Sequence, residues 1–186
     1  VSILDETQRR IYVAASSATS QRARVRAFHD AVVEQGWVHS HPWLDRLEQV
    51  EAAGEKPTDG VIARCAYEDY LGVMFAHVFV FLVPPVGFRT NATAEFGMAL
   101  GLGVPKIMLV GAPADVDAEF FSYLRLLPDA AFANIITVST DAEALSVLQY
   151  ARESSLKFAS MMGKLFNTLT PREQELATRL NKGESR

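Results

Sequence analysis

The chain has 186 residues, 49% of them apolar, enough for one domain with a core and, at most, a small appendage; this composition excludes a disordered chain. A formal charge of −4 offers no general attraction for a polyphosphate backbone, so duplex DNA or RNA is not an expected partner. The single cysteine, Cys65, excludes an internal disulfide and a thiolate-rich metal site.

Read in chain order, Ile11 to Ala15 is a short β-prone run, followed by the small-residue loop Ser16 to Ser20 and a helical pattern from about Gln21 to Gln35. Gly36 ends that helix, Trp37 to Ser40 suits a short second strand, and a helix is expected around Trp43 to Ala53. The turn-rich Gly54 to Gly60 leads into helical spacing from about Val61 to Ala76. Val78 to Val83 is the strongest strand signal, and its unbroken apolarity implies burial on both faces. A helix from about Asn91 to Leu102 follows, then a strand at Lys106 to Val110, a helix near Asp117 to Leu127, a fifth strand at Ile135 to Val138, and a long helix capped by Asp141. The segment opening Leu169-Thr170-Pro171-Arg172-Glu173 has the signature of a final amphipathic helix.

Strands alternating with helices, two of them too apolar to face water, predict an α/β fold: an open parallel five-stranded sheet with helices on both faces, flavodoxin-like or Rossmann-like. The α/β domain is expected over residues 1–150, with a C-terminal helical extension over 151–186. Ligands of such folds bind at the carboxyl ends of the strands where strand order reverses, which directs attention to the loops after Ala15 and Val83. The run from Leu71 to Phe88 is broken by Gly72, His77, Pro84 and Pro85 and is no membrane span. The opening Val1 to Asp5 has neither a basic leader nor an apolar signal core; with the lone cysteine, it makes a cytoplasmic location the expectation.

Between Arg89 and Lys106 the only charged residue is Glu95, in a stretch apolar enough to predict a helix buried nearly all round. A buried carboxylate is expensive unless hydrogen-bonded or used, and its place near a helix N-terminus favours the ionised form, a competent nucleophile. Capping of its own helix or pairing with Arg89 is the competing role. Asp69, in Tyr67-Glu68-Asp69-Tyr70, is the second acid of interest. Ser16, Ser17 and Arg22 form a candidate anion site for a 5′-phosphate, against helix capping by Thr19 or Ser20 with solvated arginines. His39 and His41 lack a third ligand and are expected to be surface or core histidines rather than a metal site, and His77 is expected to be buried. Gly97, Gly101 and Gly103 form no phosphate-binding fingerprint, and no cofactor is expected.

An acid on a helix, Asp69, precedes the apolar strand Val78 to Val83, then Glu95-Phe96-Gly97-Met98-Ala99, then Gly103-Val104-Pro105-Lys106 and the strand Ile107 to Val110. This arrangement, with Arg10-Ile11-Tyr12-Val13-Ala14 and its Ser-rich loop, resembles the nucleoside 2-deoxyribosyltransferases and the related nucleoside 5′-monophosphate N-glycosidases over roughly residues 10 to 140. The run Arg89-Thr90-Asn91-Ala92-Thr93-Ala94 departs from the family's acid- and glycine-bearing approach to its nucleophile. The resemblance implies double displacement at the anomeric carbon, with Glu95 as nucleophile and Asp69 as acid, and Tyr12, Ser16, Ser17, Arg22, Asn91, Thr93 and Met98 around the substrate. It implies 2-deoxyribosyl transfer between nucleobases or, alternatively, hydrolysis of a nucleoside 5′-monophosphate, in a homo-oligomer. A non-catalytic nucleotide-binding or signalling module is the reading from a different class.

Overall fold

The computed structural model describes residues 9–54, 58–85, 91–116 and 135–168, with side chains through residue 154. Five parallel strands, β1 (Arg10–Ala15), β2 (Val38–His39), β3 (Val78–Leu82), β4 (Lys106–Val110) and β5 (Ile135–Val138), form one open sheet in the order β2-β1-β3-β4-β5. This is the flavodoxin-like order, and the reversal lies between β1 and β3. The helices are α1 (Thr19–Glu34), α2 (Trp43–Ala52), α3 (Asp59–Met74), α4 (Ala92–Gly101) and α5 (Asp141–Thr168).

β3 is buried at every position and β4 at all but Lys106, as their continuous apolarity demands of central parallel strands. Tyr12 and Ala14 of β1, Phe79 and Phe81 of β3, and Ile107 and Leu109 of β4 meet α3 and α4 in one core. The alternate residues Ile11, Val13, Val80, Leu82, Met108 and Val110 are equally buried and, by the period-two geometry of strands, face the other side. There α1 contributes Val25, Phe28 and Val32. The molecule divides into compact units of Val1–Val147 and Leu148–Arg186. The helix expected near Asp117 to Leu127 and the segment after residue 168 lie outside the described residues.

Several helix ends differ from the sequence expectation, each for a local reason. α3 starts at Asp59 rather than Val61 because the Thr58 hydroxyl accepts the Val61 N–H at 3.4 Å. α1 begins at Thr19, but neither Thr19 nor Ser20 caps it. The Ser16 hydroxyl instead accepts the Ala18 N–H at 3.3 Å and closes the preceding loop. Asp141 does not cap α5: Thr140 accepts the Glu143 N–H at 3.1 Å, and Glu143 returns to the Ser139 N–H at 2.9 Å. Asp141 is held by Arg24, whose guanidinium also reaches the Val83 carbonyl at 3.1 Å and the Val110 carbonyl at 3.4 Å, joining the ends of β3 and β4 to the start of α5.

β2 is only two residues long, yet the edge of β1 beyond it is not bare. The Ser40 N–H bonds the Ile11 carbonyl at 2.9 Å, and the Trp43 indole N–H bonds the Val13 carbonyl at 2.7 Å. Trp43 thus supplies a donor where a longer β2 would have placed a backbone amide, and fixes the start of α2 against the sheet. Two arginines bind α1 to α2: Arg22 in a bidentate pair with Glu51, and Arg26 with one bond each to Asp45 and Glu48.

Candidate active site

A cavity of about 390 Å³ opens at the carboxyl end of the sheet beside the reversal point. Asp69 and Glu95 share it, brought together from α3 and α4. Tyr12, fully buried on β1 and stacked on Phe79 with ring centroids 5.7 Å apart, donates its hydroxyl to Asp69 Oδ1 at 3.0 Å and also interacts with the Glu95 carboxylate. On its other side Asp69 Oδ1 lies 3.5 Å from His41 Nε2.

The electrostatics follow from this crowding. Burial pushes the Glu95 carboxyl up to about 8, the negative charge of Asp69 adds to the rise, and the Tyr12 hydroxyl opposes it. Against the expectation that the helix terminus keeps Glu95 ionised, desolvation and the second carboxylate favour its protonated form. Asp69 is raised too, chiefly by burial and against the stabilising contacts of Tyr12 and His41. Tyr12 is pushed upward by burial first, then by the charge of Glu95, so it stays a phenol and a donor. At neutral pH the two carboxyl groups hold on the order of one proton between them, with the Tyr12 hydroxyl donated to Asp69.

The other residues singled out by sequence divide. Asn91 and Ser17 line the cavity. Ser16 is buried in the loop turn, and Thr93 is exposed on α4. Met98 packs against the core cluster rather than lining the cavity. Arg22 is engaged by Glu51 and by the Ser17 carbonyl, accepting its Nε–H at 3.0 Å, so neither it nor its neighbours Arg24 and Arg26 is a solvated arginine. α4 is not buried all round: Ala92, Phe96 and Ala99 turn inward, while Thr93, Ala94 and Gly97 are exposed. Its outer residues are small, so the stretch reads as apolar without carrying bulk to bury.

Sequence reasoning missed His41 as a neighbour of Asp69, Trp43 and Arg46 as cavity walls, and Gly72 as the floor beneath Tyr12. The available signal was position: His41 to Arg46 directly follow a strand that neighbours the reversal point. Apolar walls come from Leu47 and Val50 of α2 and from Val61, Ile62 and Cys65 of α3.

The histidines also rearrange relative to expectation. His77 is exposed, with Nδ1 accepting the Arg10 N–H at 2.9 Å. His29 and His39 are stacked 4.2 Å apart, His29 edge-on to Trp43. Burial, then His39 and Arg26, pushes His29 down to about 3, against the pull of Asp45; burial lowers His39 as well. Since the unfolded histidine titrates near 6.5, the fold loses stability as pH falls below that value toward 3. Glu95, with its raised value, works in the opposite sense, losing stability as pH rises from 4.5 toward 8. The two offset each other in the native chain, so the histidine effect is read in Glu95→Gln. That variant is expected to lose about 2 kcal/mol between pH 7.5 and 5 on account of His29 alone. Thermal unfolding at the two pH values measures it, and an unchanged midpoint would refute the assignment of a neutral buried pair.

Among the described residues no group of three or more His, Cys, Asp or Glu is placed to hold a metal ion, and no helix is long and apolar enough to cross a membrane. No protein family, curated protein or solved structure matches this chain.

Proposed function

We propose that this protein cleaves the N-glycosidic bond of a nucleoside by double displacement through Glu95 and transfers the 2-deoxyribosyl group to a second nucleobase. The observation that carries the reading is the pair of carboxyl groups, Asp69 and Glu95, sharing a cavity, with the Tyr12 hydroxyl donated to Asp69 and close enough to Glu95 to act on its carboxyl. Environments that raise carboxyl groups near a cleft mark acid–base work, and a shared proton divides the roles.

In the productive state the proton rests on Asp69, reached from Glu95 through the Tyr12 hydroxyl, which takes one proton as it gives another. The Glu95 carboxylate attacks C1′, the bond from C1′ to the base nitrogen breaks with its electron pair going to the base, and Asp69 protonates that base. A glycosyl ester on Glu95 results. The acceptor base then attacks C1′, losing its proton to the Asp69 carboxylate and freeing Glu95. The apolar walls around this site exclude water and favour a flat base as acceptor over hydrolysis.

The partner is thus a small-molecule nucleoside, and the proposed setting is the cytoplasm. The exposed side chains of Ile62, Tyr67, Tyr70, Met74 and Phe75 on and just after α3 support a homo-oligomer, since monomers rarely leave so many large apolar groups in water. Incubating the protein with deoxynucleosides, with and without a free acceptor base, tests the activity: base exchange supports transfer, and the absence of any bond cleavage rejects the reading.

Hydrolysis of a 5′-monophosphate is less well supported, because the bidentate Arg22–Glu51 pair occupies the cation that a phosphate would need. The specificity constant for a deoxynucleoside is expected to equal or exceed that of its monophosphate, and Arg22→Ala should leave their ratio within about threefold, as befits a partly exposed ion pair. A strong preference for the monophosphate that disappears in Arg22→Ala would instead establish the hydrolase.

A further inference from the structure

Arg46 sits on α2 one helical turn after Trp43 and lines both the cavity holding Asp69 and Glu95 and a second groove at its mouth. The charged neighbours in that groove are already committed: Asp45 to Arg26 at 2.6 Å, and Glu68 to Arg64 at 3.2 Å. Arg46 itself forms no ion pair and no side-chain hydrogen bond among the described residues; its Nε is shielded from solvent, so the guanidinium engages a ligand through its terminal nitrogens. A guanidinium has donors only, so a ligand group that engages it in the cavity must be an acceptor.

Which part of a nucleoside meets Arg46 follows from where the acid stands. His41 lines both hollows with Arg46 and stands beside Asp69 on the side away from Tyr12, so Arg46 belongs to the side on which Asp69 meets the departing base. Ser17 and Asn91 are the polar cavity residues contributed by the loop after β1 and the residue before α4, and they fall to the sugar. Trp43, Leu47, Val50 and Val61 offer apolar surface to a flat ring.

Resting on the N-glycosidic reading, we propose that Arg46 is the specificity-determining residue of the base subsite, selecting nucleobases that present an oxo group over those that present an exocyclic amine. An oxo oxygen accepts from the guanidinium. It also takes up part of the negative charge that develops on the base as its bond to C1′ breaks, so the contact strengthens along the reaction. An exocyclic amine in the same place sets donor against donor and leaves Arg46 unmatched.

Two matched pairs test this: deoxyinosine against deoxyadenosine, and deoxyuridine against deoxycytidine. Each is assayed with wild type, Arg46→Met and the conservative Arg46→Lys. Because intrinsic reactivity cancels when the variants are compared, the readout is the change in the oxo-to-amino ratio of kcat/KM. Arg46→Met is expected to lower both ratios by roughly 10- to 100-fold, with Arg46→Lys between it and wild type. Binding of free hypoxanthine and adenine to Glu95→Gln, with and without Arg46→Met, provides a readout independent of turnover. Hypoxanthine is expected to bind the more tightly, and only while Arg46 is present. Bond cleavage with ratios unmoved by Arg46→Met overturns the role of Arg46 and leaves the activity standing. Arg46-dependent preference for hypoxanthine without any cleavage overturns the activity and leaves the base subsite standing. A protein that neither cleaves any of the four nucleosides nor prefers hypoxanthine refutes both.

Discussion

Glu95→Ala is expected to abolish turnover, by roughly four to six orders of magnitude, as loss of a nucleophile does when the remaining groups cannot take over its step. The same position should reveal itself in stability with the opposite sign. Because Glu95 is raised to about 8 when folded, ionising it above 4.5 costs the fold free energy, and Glu95→Gln removes that cost. Glu95→Gln is expected to be inactive yet more stable than wild type, by about 4 kcal/mol at pH 7.5, a gain that fades below pH 4.5 where both forms are neutral. Asp69→Asn should slow the reaction by about 10²- to 10⁴-fold for poor leaving groups and far less for good ones, because only the former need the proton. Single-turnover kinetics together with thermal unfolding of these variants checks all three statements. A Glu95→Gln protein that retains wild-type turnover ends the mechanism, and one that is destabilised at pH 7.5 contradicts the electrostatic account.

Gly72 is the second position where a small change has a large expected effect. It is buried within α3, and a Cβ built there falls 2.5 Å from His41 Cβ and 2.8 Å from a Tyr12 ring carbon. Tyr12 has no room to retreat, since its ring is fully buried and stacked on Phe79. Gly72→Ala gains about 1 kcal/mol of helix propensity but forces apart the two residues that hold Asp69, at an overpacking cost of about 1–3 kcal/mol. A displacement near 1 Å in a reacting constellation costs about 10²-fold in rate, so kcat is expected to fall by at least that factor, while overall stability falls by no more than about 2 kcal/mol. Gly101→Ala, whose added Cβ meets nothing within 4 Å, is the control, with an expected modest gain in stability and unaltered kcat. Equal kcat in Gly72→Ala and wild type would show that Tyr12 and His41 do not position the acid.

The fold was legible in the sequence because its strongest signals are local. The unbroken run of β3, the alternation of strands with helical spacing, and the small-residue loop after β1 required no knowledge of distant residues. Glu95 stood out because it is alone among apolar neighbours, and the structure sets it in a cavity with Asp69. What could not be read depends on long-range pairing. Arg22, Arg24 and Arg26 look alike in sequence, but their acidic partners lie 29, 117 and 19 positions away, and only the folded chain distributes them. The two-residue β2 carries too little pattern to announce that His41, Trp43 and Arg46 follow the edge of a site. Gly72 interrupts an apolar run and reads as a break, whereas its lack of a side chain is what lets Tyr12 and His41 approach. The charge state of Glu95 was misjudged because the helix dipole is visible in sequence, while burial and the second carboxylate are not.

The indole of Trp43 has one further consequence. An edge strand whose carbonyls go unanswered is a template on which another chain can lay a strand, and β1 would present such an edge wherever the short β2 fails to cover it. By filling the Val13 carbonyl with a side-chain donor and covering it with a bulky ring, the chain denies that position to a foreign backbone. A cavity wall that begins at the same ring is thereby held together with a safeguard against aggregation, so any change in the shape of this cavity at Trp43 is constrained by the need to keep that edge closed.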